Sequence, residues 1–168
     1  MNKKAILWSI AAILIIAVGI GLYLWLTASE PIPVLSEYAI SYGDSPADLE
    51  EVGTALEVTH NISDTRASAY VFQLKVLGFP AQMTCFFHEN EELTQVELEW
   101  TLENVQAAQT LAAKVQKLLV DAYAGEEDYF FRKMEEYTAL GRDDGATGMF
   151  YQIRVKENTV FVSCINLE

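Results

Sequence analysis

The stretch from Ala5 to Leu26 carries no charged residue. As a helix rising about 1.5 Å per residue it reaches about 33 Å, enough to cross a hydrocarbon core of about 30 Å. Inside a bilayer the backbone must satisfy its own hydrogen bonds, so an apolar run of this length reads as a transmembrane helix. Lys3 and Lys4 precede it, and the next basic residue is Arg66. The positive-inside rule then keeps the N-terminus cytoplasmic and sends the rest of the chain outside. Trp8, Tyr23 and Trp25 stand near the two ends, where amphipathic rings favour the interface. The chain divides into a cytoplasmic tip and transmembrane anchor over 1–26, a Pro-containing linker over 27–36 and an extracytoplasmic domain over 37–168. A cleaved signal peptide is the competing reading, but signal h-regions are usually shorter and Thr27-Ala28-Ser29 is a mediocre cleavage context. Both readings export the domain. The retained anchor gives a single-pass protein of the cell membrane.

The chain has 24 acidic and 11 basic residues, and Lys3 and Lys4 are the only charges before Glu30. The exported part therefore holds 9 basic and 24 acidic residues, a net charge of −15. A field of that sign repels phosphate backbones and anionic lipid head groups, so no nucleic-acid partner is expected. Two cysteines remain, Cys85 and Cys164. Outside the cytoplasm an even count permits a disulfide between them, and each could equally be a small buried hydrophobe in an apolar run. Asn61-Ile62-Ser63 fits a glycosylation sequon, which matters only in a eukaryotic secretory pathway.

Along the domain, Asp44–Leu56 reads as a short helix, with Asp44 or Ser45 as cap and Pro46 in the first turn. Ala69–Leu77, Ala81–Phe87 and Leu93–Leu102 read as strands of an antiparallel meander. In the last of these Val96, Leu98, Trp100 and Leu102 alternate with Gln95, Glu97, Glu99 and Thr101. Asn104 caps a longer helix in which Val105, Ala108, Ala112, Val115, Leu119 and Ala122 form an apolar stripe ending near Gly125. Tyr129, Phe130, Met134 and Tyr137 fit a further helical face, and Gly141–Gly148 reads as a loop. Met149–Val155 and Val160–Leu167 make a hairpin around Lys156-Glu157-Asn158-Thr159. The expected fold class is α+β: an N-terminal transmembrane helix, then an antiparallel sheet with helices packed on one face.

Chemistry-bearing patterns are scarce. His60, in an expected loop, and His88, at a turn, are the only bases available to a Ser or Cys nucleophile, and neither neighbours a GxSxG or cysteine motif. No Gly-rich phosphate loop appears. Glu89-Asn90-Glu91-Glu92, Glu126-Glu127-Asp128 and Asp143-Asp144 are acidic clusters without the spacing of a calcium loop. No catalytic, cofactor-binding or metal residue is assigned, and no cofactor is expected. Phe86, Phe150 and Phe161 oppose the apolar faces of their strands. Sharing one sheet face, they would form an interaction patch; under a helix, they would form a second core layer.

Tyr42-Gly43-Asp44-Ser45-Pro46-Ala47-Asp48-Leu49 is similar to the turn-and-helix opening of the SmpA/OmlA and β-lactamase-inhibitor-protein-like envelope domains. Gly78-Phe79-Pro80-Ala81, Cys85-Phe86-Phe87 and Leu93-Thr94-Gln95-Val96 resemble the hairpin that follows it. The resemblance covers about a third of the chain, and departs from the family in having a transmembrane run in place of a lipid-modified Cys and a long second helix. It implies a small exported α+β module that binds another protein and lacks catalytic residues. No functional residue carries over.

Together these readings describe a membrane-anchored, extracytoplasmic, non-catalytic interaction module. Its expected partners are the bilayer, through Ala5–Leu26, and another envelope protein. An envelope hydrolase with acidic catalytic residues, and a small subunit of a membrane complex, are the alternatives.

Overall fold

Period-two alternation runs through most of the domain, and it builds one sheet. The computed structural model describes residues 30–63, 66–126, 128–142 and 148–167. Their strands are β1 (Glu57–Ser63), β2 (Arg66–Val76), β3 (Phe79–Phe87), β4 (Leu93–Thr101), β5 (Tyr129–Lys133), β6 (Thr138–Arg142), β7 (Gly148–Lys156) and β8 (Thr159–Leu167). They form an eight-stranded antiparallel sheet in the order β1-β2-β3-β4-β8-β7-β6-β5. Each half is a four-strand meander, and the two meanders join through their last strands. The helix α1 (Val105–Ala122, 18 residues) connects them.

This corrects the α+β expectation with several helices on the sheet. The described residues are mostly β, with one α-helix and short 3-10 turns. Among them no helix is long and apolar enough to cross a membrane, and the run Ala5–Leu26 lies outside the described residues.

The helix expected over Asp44–Leu56 shrinks to a 3-10 turn, Asp48–Glu51. Its acids bond to the backbone locally and hold turns in place of a helix. Asp44 turns back to accept the Ser41 N–H at 2.7 Å, and Asp48 accepts both the N–H and the hydroxyl of Ser45, at 2.8 and 2.7 Å. Those two bonds also hold the Asp48 carboxyl below its ordinary pKa. Past Gly53, which sits at φ +143°, the chain is free to become β1. That places His60 in a strand, where a loop was expected.

Tyr129–Tyr137 is not helical either. It forms β5 and the turn into β6, with Phe131 paired to Leu140 and Phe130 to Gly141. A strand lets Tyr129 and Phe131 face the core while Phe130 and Arg132 face away, and the neighbouring strand satisfies the backbone. Gly141, expected in a loop, lies in β6.

Residues 30–36, expected as an extended linker, place three side chains in the core. Ile32, Val34 and Leu35 are fully buried, and Ile32 N–H donates to Ile40 O at 3.1 Å. A 3-10 helix over Pro33–Tyr38 packs against α1.

All of this covers one side of the sheet. Ala108, Leu111, Val115 and Leu119 of α1 are buried against β7 and β8. The sheet contributes Met83, Cys85, Val96, Leu98, Trp100, Tyr151, Val162 and Cys164 to the same core. The helix begins where Asn104 Oδ1 accepts the Ala107 N–H at 2.9 Å. Val105, expected on the buried stripe, is exposed. Two further bonds pin the strand ends: Trp100 Nε1 donates to Val76 O at 3.3 Å, and Asn158 Nδ2 donates to Leu102 O at 2.6 Å.

Leu119→Ala is expected to cost about 2–5 kcal/mol, because the cavity would lie between helix and sheet and cannot collapse. Val120→Ala, one position on and facing solvent, is expected to stay within about 0.5 kcal/mol. Urea unfolding followed by tryptophan fluorescence measures both.

Candidate functional site: the open face of the sheet

Strand parity sends every second residue to the side of the sheet that α1 does not cover. The register lines these residues up in rows across the strands. One row runs Ala69, Phe86, Gln95, Ile165 and Phe150. A second runs Val71, Thr84, Glu97, Ser163, Gln152 and Ala139, and a third runs Gln73, Gln82, Glu99, Phe161 and Arg154. The three sequence-singled phenylalanines therefore share one face, and it is the one without a helix. Phe86 and Phe150 lie in one row, on either side of Gln95 and Ile165, and Phe161 stands two rows away. All three are partly buried.

A feature not read from the sequence is the pairing of arginine with Phe86, Phe161 and a further ring, Phe130. The Arg66 guanidinium lies 4.5 Å from the Phe86 ring centre, Arg132 lies 4.9 Å from Phe130, and Arg154 lies 4.8 Å from Phe161. Such contacts stabilise by about 0.5–1 kcal/mol each at exposed sites. Arg66 also donates to Gln95 Oε1, and Gln95 Nε2 donates to Glu97 Oε1 at 2.7 Å. The signal for Phe130 and Arg132 was their two-residue spacing, which a helical reading hides. Arg66 and Arg154 meet their rings across strands, at separations no local pattern reveals.

Between the third row and the second lies a depression of about 310 Å³, with Glu97 and Glu99 on one wall and Gln152 and Arg154 on the other. A second groove, of about 640 Å³, lies on the helix side beside the Asp48–Glu51 turn, over Tyr70 and Phe72. It is open because a short turn stands there in place of a helix.

Cys85 and Cys164 are both free and buried. Each pairs with Val96, from opposite sides of β4, so they are two strands apart. At about 4.8 Å per strand their separation is about 9.6 Å, beyond the roughly 7 Å limit for a bridge. The disulfide that composition permitted is therefore not made. Burial pushes both thiols well above their ordinary pKa.

The other sequence candidates do not converge. His60 and His88 are exposed on separate elements. Glu89, Glu91 and Glu92 sit in the exposed β3–β4 turn, and Asp143-Asp144 lies outside the described residues. No cluster of His, Cys, Asp or Glu suited to a metal occurs among the described residues. One polar group does lie in the core: Tyr123 and Tyr151 share a hydrogen bond of 2.6 Å between their hydroxyls, and Tyr123 stacks on Tyr129 at 4.5 Å. Burial is the first cause that raises the pKa of Tyr42, Tyr123 and Tyr151.

Comparison with protein families, with curated proteins and with solved structures returns no match to this chain.

The raised tyrosine and thiol pKa values set a direction for alkaline stability. The unfolded chain releases these protons near the ordinary values of 9.0 for Cys and 10.0 for Tyr, whereas the folded chain keeps them. Their contribution is thus fully present below about pH 9 and is lost as pH rises past it. A pH series of urea midpoints should be flat with respect to these groups up to about pH 9 and fall above it. Tyrosinate absorbance from this cluster should appear only with unfolding.

Proposed function

We propose that this chain is a membrane-anchored, extracytoplasmic protein-interaction module that acts without catalysis, and that the open sheet face is its binding surface. The observation that carries the reading is the uncovered face itself. It presents aromatic rings, partly buried and held in rows, each of three capped by a guanidinium. Aromatic residues and arginine are the side chains that dominate binding energy at protein interfaces, because they bury large areas at small entropic cost. A rigid sheet holds them in place, so little ordering is required on contact. The anchor in this proposal rests on the sequence alone, on Lys3, Lys4 and the apolar run Ala5–Leu26. It would confine the module to encounters at the membrane surface.

The test is site-specific photo-cross-linking of the full chain in its native membrane. A photoreactive residue at Gln82, on the open face, is compared with one at Gln116, exposed on α1. The reading expects protein adducts from Gln82 and few from Gln116. It further expects Phe86→Ser together with Phe161→Ser to cut the Gln82 adducts by about tenfold. Equal adducts from both positions, or adducts unaffected by the double substitution, would sink it.

A further inference from the structure

The open face carries opposite charges on the two sides of β8, with Glu97 and Glu99 on β4 and Arg154 on β7 and Arg132 on β5, and with Arg66 and Lys75 of β2 as basic exceptions at the far edge of the β4 side. β8 runs between them with Phe161, Ser163 and Ile165. Counting outward from β8, strands β4, β3 and β2 lie on one side and β7, β6 and β5 on the other, with β1 as an overhang.

A face patterned in this way complements itself under one operation, a two-fold axis parallel to β8. That rotation lays β4 of one copy over β7 of the other and keeps each row opposite its own counterpart. In the third row Glu99 then faces Arg154 of the second copy, and Arg154 faces its Glu99, with the two Phe161 side chains meeting at the axis. In the first row Gln95 faces the second copy's Phe150 and Phe86 faces its Gly141, over which the Phe150 ring leans to within 3.0 Å of where a Cβ would sit. Ala69 comes against Phe130, so small side chains meet large ones. The other in-plane two-fold, running across the strands, would instead lay β4 on β4 and set Glu97 and Glu99 against carboxylates.

We infer that the occupant of the open face is a second copy of this chain, docked as a symmetric dimer about a two-fold axis along β8. This rests on the interaction-module reading and names the partner of that same face. Seven strands about 4.8 Å apart and a usable width of about 20 Å give roughly 700 Å² per copy, close to the ~800 Å² of a standard interface. The axis also keeps residue 30 of both copies at one level, as two anchors in one membrane require. The net charge of −15 beyond Leu26 opposes association, but at physiological salt that repulsion is screened over about 8 Å.

The experiment is a charge swap read by sedimentation of the detergent-solubilised full chain. Glu99→Arg and Arg154→Glu are each expected to weaken self-association by about tenfold or more, because each places like charges together twice. Mixing the two single variants should restore a dimer, this time mixed, and the double variant should again pair with itself. That rescue separates a lost contact from a lost fold. A wild-type chain that stays monomeric up to about 100 µM overturns the inference, as does a dimer indifferent to both swaps. The Gln82 cross-link separates this failure from failure of the broader reading. Adducts only to a different protein refute the dimer and leave the interaction module standing, whereas no adducts at all refute both.

Discussion

The pairing of β4 with β8 is the contact on which the rest of the structure depends. It joins two four-strand meanders that are far apart in sequence, and it sets one register, Val96 to Cys164, Leu98 to Val162 and Trp100 to Val160. In that register all six side chains enter the core beneath α1. The residues between them, Glu97, Glu99, Phe161 and Ser163, are sent to the other face. A slip of one residue would exchange the two sets, burying carboxylates and exposing Trp100. Hydrophobic burial thus specifies the pairing, and the pairing composes the open face.

The two sides of the sheet are unequally covered because the two meanders are entered differently. The second follows an 18-residue helix whose buried stripe spans β7 and β8. The first follows 3-10 turns whose acids are occupied with local bonds. One helix and a folded N-terminal segment suffice for one side only. What remains uncovered is not a simple solvent face. Arginine guanidinium groups are stacked on phenylalanine rings, so both the apolar area and the charge are held in position before any partner arrives.

Much of the architecture could be read from residue order. The alternation in β4, the Asn104 cap and the β7–β8 turn all rest on local rules, and local rules survive folding. The errors came where local signals compete. Asp44-Ser45-Pro46 has the composition of a helix start, but the same short polar side chains also close turns, and here the turns prevail. Tyr129, Phe130 and Tyr137 fit a helical period within a short window, and the neighbouring strand β7 outweighed it by offering β6 a pairing edge. Ile32, Val34 and Leu35 followed an apolar run and sat beside Pro31 and Pro33, which masked them as linker. Of the candidate site, Phe86, Phe150 and Phe161 were legible from parity. The arginine partners of Phe86 and Phe161 were not, since both contacts cross between strands.

By itself the sequence determined the strand faces, the long helix, the acidity of the chain beyond Leu26 and the isolation of each histidine, because these follow from composition and spacing along the chain. Tertiary structure alone decided which faces share a side, that Cys85 and Cys164 stand two strands apart, and that Glu99 and Arg154 flank Phe161. Each of those depends on which strands are neighbours. Strand order is chosen by burial summed over the whole core, and no single segment contains that sum.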